Sequence, residues 1–259
     1  MGFRGQFRLF IKLILFLLQW LGFGNIKGKM KNNNLFLPFD VFERHKMVSS
    51  FIKNSEDRIL DVGGGVEGLG RFIENKVTVT NLNAGDVIAD GRNLPFTNSQ
   101  FDIVTNIDVL EHIPKKDRQK FVNELLRVAR KKVIVSTPLG SDVHSKAEKK
   151  LLAYLENRGS NSDYLRKHIK NGLPTKEELK GYFSDEAFFL FSGDFRLNNF
   201  LFRAQIKQFE NSLINKAFFY LQKLVSFLLN VFYFPFIKSE KPKRWTNRVF
   251  VIYEKGSYL

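Results

Sequence analysis

The sequence predicts an α/β protein with a mainly parallel sheet and helices on both faces. Two observations lead there. Short β-branched and apolar runs alternate with segments of helical spacing from residue 58 onward, the order expected of a parallel sheet. The first of these strands also runs directly into a glycine cluster, Gly63-Gly64-Gly65. At 259 residues the chain can hold one such domain with a sizeable core.

The elements follow in order. Residues 9–23, LFIKLILFLLQWLGF, form an apolar run shorter than the roughly 20 residues of a membrane-crossing helix. Arg4, Arg8, Lys12 and Gln19 fall on one narrow stripe at about 100° per residue, the pattern of a helix lying in a membrane interface. A helix capping the domain's own core and a true span are the other readings. No small-residue cleavage site follows the run, which argues against a secretory leader. A polar Gly- and Asn-rich linker, Lys27 to Asn34, comes next. A helix is expected from an N-cap at Asp40 to about Ile52. Arg58 to Val62 reads as a strand, Arg71 to Asn75 as helical, and Val77 to Thr80, Val87 to Ala89 and Phe101 to Thr105 as strands. Lys115 to Arg130 carries Phe121, Val122, Leu125, Leu126 and Val128 at helical spacing, and Lys132 to Thr137 is a strand stopped by Pro138. A charged helix is expected from Val143 to about Asn157. Thr175-Lys-Glu-Glu178 is a capping box opening another helix. Ala187 to Phe191 and Arg248 to Tyr253 read as the last strands. Between them, residues 212–237 are apolar, with Asn215, Lys216, Gln222, Lys223, Ser226 and Asn230 gathered within about a third of the helical circumference.

Charge separates the ends from the middle. The net charge is +15. Residues 1–31 carry six Lys/Arg and no acid, and residues 203–248 carry nine Lys/Arg against two acids. Basic segments that are also greasy suit an anionic membrane surface better than nucleic acid, which is disfavoured as a partner. There is no cysteine, so disulfides, thiolate metal sites and a cysteine nucleophile are excluded. The sequence shows no metal-ligand cluster or metal-loop spacing, so no metal is expected. The glycine turn lacks the Gly-Lys-Ser/Thr ending of a phosphate-binding loop. Gly63, Gly65 and Gly68 fit the dinucleotide fingerprint literally.

What decides between these chemistries is the run after the turn. Ile59-Leu-Asp-Val-Gly-Gly-Gly-Val-Glu-Gly68 is followed by Asp90, by Asn93-Leu-Pro-Phe96, and by Phe101-Asp-Ile-Val with Val109-Leu-Glu-His-Ile113. Over roughly residues 57–139 this resembles the class I methyltransferases that use S-adenosylmethionine (SAM), in particular the methyltransferase type 11 group. The resemblance implies a Rossmann-like, seven-stranded sheet of order 3-2-1-4-5-7-6 with an antiparallel last strand. It divides the chain into a basic amphipathic segment (1–31), the methyltransferase domain (40–202), a basic amphipathic insertion (203–247) and a closing strand (248–259). It implies that Asp61, Gly63, Gly64 and Gly65 form the floor under the methionine and ribose of the cofactor. Asn81 stands where the family places an acid for the ribose hydroxyls, Asp90 where the adenine amino group is bound, and Asn106 near the methionine end. Asn81 offers one acceptor oxygen where a carboxylate offers two, and Glu67 stands at a position the family gives to glycine.

The sulfonium activates its own methyl group, so no fixed triad is demanded. Positioning of the acceptor is the main requirement, with a base where the acceptor is a hydroxyl. Candidate bases are His144, placed in the loop after the fifth strand, and His112, which helix capping or packing would also explain. Asp108 and Glu111 read equally well as capping residues. The segment His168 to Thr175 resembles substrate-side regions of methyltransferases linked to glycan assembly. The expected function is methyl transfer to a small-molecule or lipid-linked acceptor, a glycan included, by a peripheral protein at the cytoplasmic face of a membrane. The competing reading is a membrane-docked scaffold with a degenerate methyltransferase fold.

Overall fold

The computed structural model describes residues 34–65, 68–183, 186–207 and 209–256. The expectation for residues 9–23 and the one for Glu67 lie outside the described residues.

Seven strands form one sheet: β1 (Ile59–Val62), β2 (Val77–Asn81), β3 (Val87–Ile88), β4 (Phe101–Ile107), β5 (Ala129–Pro138), β6 (Phe188–Asp194) and β7 (Thr246–Glu254). Their order is β3-β2-β1-β4-β5-β7-β6. The first five are parallel, and β7 runs antiparallel to both β5 and β6. This is the expected order and the expected antiparallel strand.

Alternation along the strands loads both faces. Leu60, Val62, Val104, Val133, Val135, Val249 and Val251 point to one side, where they meet Phe121, Val122, Leu125 and Val128 of α2 (Lys115–Val128). Leu179 of α5 (Lys176–Tyr182) packs on the same side. Ile59, Ile103, Ile134, Phe250 and Ile252 point the other way, against Met47 and Val48 of α1 (Phe39–Ser49). β1 and β4 are buried on both faces along their whole length.

Two local expectations are corrected. α1 begins two residues earlier, with Pro38 and not Asp40 at the N-cap position, and ends at Ser49. Asp40 sits inside its first turn, where an acid suits the helix dipole, and pairs with Arg44 one turn on. The helix expected at 71–75 is absent. A single 3-10 turn, Leu69–Arg71, stands there; Gly68 precedes it and Gly70 lies within it, at a conformational cost that a few neighbouring residues do not offset. The capping box is real at its first half: the Thr175 hydroxyl accepts from the Glu178 amide at 3.1 Å. The Glu178 carboxylate turns instead to Arg118, at 2.9 Å.

Between β5 and β6 lie α3 (Asp142–Glu156), α4 (Asp163–Asn171) and α5. Between β6 and β7 lie α6 (Phe195–Gln205) and α7 (Ser212–Leu228), the latter continued by a π turn (Leu229–Tyr233). α7 is amphipathic in an inverted sense. Its polar side faces the protein: Lys223 Nζ donates to the Phe36 carbonyl at 3.1 Å, Gln222 to Ala204 at 2.9 Å, and Asn230 to Leu35 and Leu37 at 2.9 and 3.0 Å. Phe227 stacks on Phe36. Leu213, Ile214, Leu221 and Leu228 are exposed, and Phe236 beyond the helix is 81% exposed.

Candidate active site

Ligands of open α/β sheets sit at the carboxyl ends of the strands, near the switch point between β1 and β4. The predicted cofactor residues collect there. Asp61 on β1 is buried, and its Oδ1 accepts from the Thr105 hydroxyl of β4 at 2.8 Å. Burial raises its pKa to about 6. Gly63 turns the chain at φ +82°, and a Cβ there would lie 2.3 Å from Val109 Cγ2. A Cβ on Gly64 would lie on the Asp61 carboxylate. These positions require glycine for two different reasons, a left-handed backbone and a close approach. Asn106 donates to the Val62 carbonyl at 2.8 Å, and its own buried Oδ1 has no hydrogen-bond partner.

The other half of the set is engaged within the protein. Asn81 ends β2 and ties down the glycine turn: its Nδ2 donates to the carbonyls of Gly63 and Gly64 at 3.2 and 3.1 Å, and its Oδ1 accepts from the Leu82 amide at 2.7 Å. A carboxylate could accept but could not make the first two bonds. Asp90 accepts the Arg92 amide at 2.9 Å and the Arg92 guanidinium on both oxygens, which lowers its pKa. Arg92 also reaches Asp117 at 3.0 Å.

Next to the β4 and β5 ends opens a cavity of about 380 Å³, lined by Asp108, Glu111, His112, His144, His168 and Arg248 among others. Asp108 sits just past β4 at φ +56°, an unusual place for a side-chain-bearing residue. It is paired with Arg248 of β7 and with Arg44 of α1, at 2.8 Å for the latter. These cations outweigh its burial and hold its pKa at about 2. Arg248 is itself buried and also donates to Ser136 at 3.2 Å. It was not legible as a site residue, because 110 residues separate β5 from its partner position on β7; nothing in its local sequence marks it.

The histidines are placed by different elements. His144 is in the first turn of α3, buried, with its amide capped by Ser141. The loop position expected for it is therefore corrected: Ser141 starts a helix there. Its Nδ1 lies 2.8 Å from the Leu139 carbonyl and its ring stacks on Phe195. Burial lowers its pKa, so it stays neutral. His112 ends a 3-10 turn, Leu110–His112. His168 of α4 stands against it, ring centroids 4.7 Å apart. Arg118, buried, fastens this corner by donating to Ile113, Asn171 and Gly172 carbonyls and to Glu178. Of the segment 168–175, His168 lines the cavity.

Residues 70–136 match the family model described as a methyltransferase domain. Over these residues, and in its sheet order, the chain is similar to the class I methyltransferases. A chloroplastic protein of Oryza sativa subsp. japonica, described as a probable tocopherol O-methyltransferase, is 32% identical over 27% of this chain and 25% of its own length. The chain thus spans about a quarter of that relative. A SAM-dependent methyltransferase from Thermotoga maritima superposes with a TM-score of 0.48 at 15% identity, covering 85% of this chain and 93% of that one. Phosphoethanolamine N-methyltransferase 2 of Haemonchus contortus, solved with SAM, gives 0.44 at 17% identity over 82% and 52%.

Proposed function

We propose that the protein transfers the methyl group of SAM to a small-molecule or lipid-linked acceptor, a glycan on a lipid carrier included, while docked on the cytoplasmic face of an anionic membrane. The observation that carries the chemistry is a juxtaposition at the carboxyl ends of the strands: the glycine turn over Asp61 lies against Val109, whose neighbour Asp108 lines the polar cavity. The orphaned Oδ1 of Asn106 and the open space beside Gly65 both fit a bound cofactor. Asp61, Gly63, Gly64, Gly65 and Asn106 would hold it, and Asn81 would serve by fixing the turn. When bound, SAM supplies an activated methyl. The protein supplies orientation of the acceptor in the cavity, and His144, kept neutral by burial, is the group placed to take a proton from an acceptor hydroxyl.

A scaffold without activity is the second reading, favoured by the internal engagement of Asn81 and Asp90. Calorimetric titration with SAM and with its demethylated product separates the two. Micromolar binding that Asp61→Asn weakens at least about tenfold, ~1.4 kcal/mol, supports the enzyme. No binding to folded wild-type protein supports the scaffold.

The membrane part rests on α7. Ser212–Phe236 is long and apolar enough to cross a membrane. Its polar side chains, however, are spent on the backbone of residues 35–37 and 204, which suits a helix lying flat with its exposed side in the bilayer interface. Lys238, Lys241, Lys243 and Arg244 are exposed beside it, and Arg244 and Arg196 flank the Trp245 ring at 4.6 and 4.4 Å. Cations next to aromatic rings are what an anionic headgroup layer favours. In flotation with anionic vesicles, Leu213→Asp combined with Leu221→Asp and Phe236→Asp should cut the bound fraction severely at unchanged melting temperature. Undiminished flotation of this variant would count against α7 as the contact.

A further inference from the structure

The corner of the cavity where α4 meets the Leu110–His112 turn contains a cluster that methyl transfer does not use. Glu111 and His168 are buried, at 1% and 6% exposure, and His112 is half-buried. One ligand atom from each of Glu111, His112 and His168 lies within 4.8 Å of the other two. Two of the three are unpaired: His112 Nδ1 and His168 Nε2 are buried and have no hydrogen-bond partner. A buried ring nitrogen left without a partner is costly. Two of them facing one carboxylate therefore ask for an occupant.

We propose that Glu111, His112 and His168 bind a divalent first-row transition cation, with an open coordination position facing the acceptor cavity. The chemistry of the set is right for one: two imidazoles and a carboxylate are ligands of zinc and of non-haem iron. The surroundings are those of ligands rather than of a solvated cluster. His168 Nδ1 lies 2.8 Å from Glu148 Oε1, so the carboxylate accepts the ring proton and leaves Nε2 free to coordinate, the arrangement that orients metal-bound histidines. The Thr137 hydroxyl donates to Glu111 Oε2 at 3.0 Å, which leaves Oε1 turned toward His168, 3.9 Å from its Nε2. Asn171 holds the backbone carbonyl of His112 at 2.8 Å, fixing the third ligand. The carboxylates of Glu111 and Glu148 flank the His168 ring, and a dication there meets two acidic groups. Sequence spacing had pointed to no metal, because the third ligand lies in a helix 56 residues after the Glu-His pair.

The site borders the pocket assigned above to the acceptor, but metal binding is independent of methyl transfer and is read without it. The test is titration of the full, untagged chain with cobalt(II) chloride after chelator treatment, following the ligand-field band in the visible. One equivalent should bind with a band typical of nitrogen and oxygen ligands. His168→Gln and Glu111→Gln should each abolish it, and Glu148→Gln should weaken binding by about tenfold to a hundredfold. Zinc(II) chloride should raise the melting temperature of the wild type and not of His168→Gln, which guards against a variant that fails to fold. Absence of the band in wild-type protein, or a band that survives both ligand substitutions, would overturn the proposal. SAM titration of the metal-free protein reports separately on the methyltransferase reading.

Discussion

Replacing Arg248 with methionine is expected to destabilise the protein by about 3–5 kcal/mol, the cost typical of removing one partner from a buried ion pair. Arg248 is 3% exposed and donates to both oxygens of Asp108. Methionine fills most of the volume, so the loss reports on charge and not on a cavity. Asp108 would keep Arg44 alone, and Glu43, whose pKa burial already raises and Arg248 pulls back down, would lose that cation. The pH dependence adds a second reading. A carboxylate held near 2 in the folded state, against about 3.9 unfolded, contributes stability that is present above pH 4 and lost as pH falls toward 2. Urea unfolding from pH 7 to pH 2.5 should therefore show an acid limb in the wild type that is shallower in Arg248→Met. Equal limbs would mean that Arg44 carries the pairing.

Gly63→Ala is expected to cost about 2–4 kcal/mol of stability and to abolish measurable SAM binding. Two penalties combine. At φ +82° a Cβ is strained whatever the space around it, and here it would also meet Val109 Cγ2 at 2.3 Å. Relief of the overlap pushes the turn away from β4, which carries Asn106 and Thr105. The double variant with Val109→Ala isolates the causes: it removes the overlap and leaves the backbone strain, so stability should recover in part and binding should not. Urea unfolding and calorimetry measure the two. Full recovery of SAM binding would mean that the geometry of this turn is not what holds the cofactor.

The strands and the glycine turn were legible in the sequence because each is local, whereas the strand order and the antiparallel last strand were implied only by the resemblance to the class I methyltransferases. β-branched runs, Pro138 and the glycines declare themselves within a few residues, and parallel strands joined by helices admit few arrangements. The helix expected at 71–75 failed because five residues directly after Gly68 and Gly70 are too few to nucleate a hydrogen-bonded ladder. The cofactor residues were found by position, but their partners were not. That Asp90 would be taken by Arg92 depends on how the turn folds back. That Asn81 would donate to the glycine carbonyls depends on β2 lying beside β1.

The sequence by itself determined the sheet, its edge and the amphipathic character of 212–237, since periodicity and turn chemistry are properties of neighbouring residues. Only the tertiary structure decided which way that amphipathic helix faces. Its amides and lysine turn inward because the carbonyls of residues 35–37 need donors there, and the apolar side is left outward. The tertiary structure alone likewise brought His168 to Glu111 and His112, and Arg248 to Asp108. Charge pairing and ligand geometry act through space, over a few ångströms, and chain distance carries no trace of them.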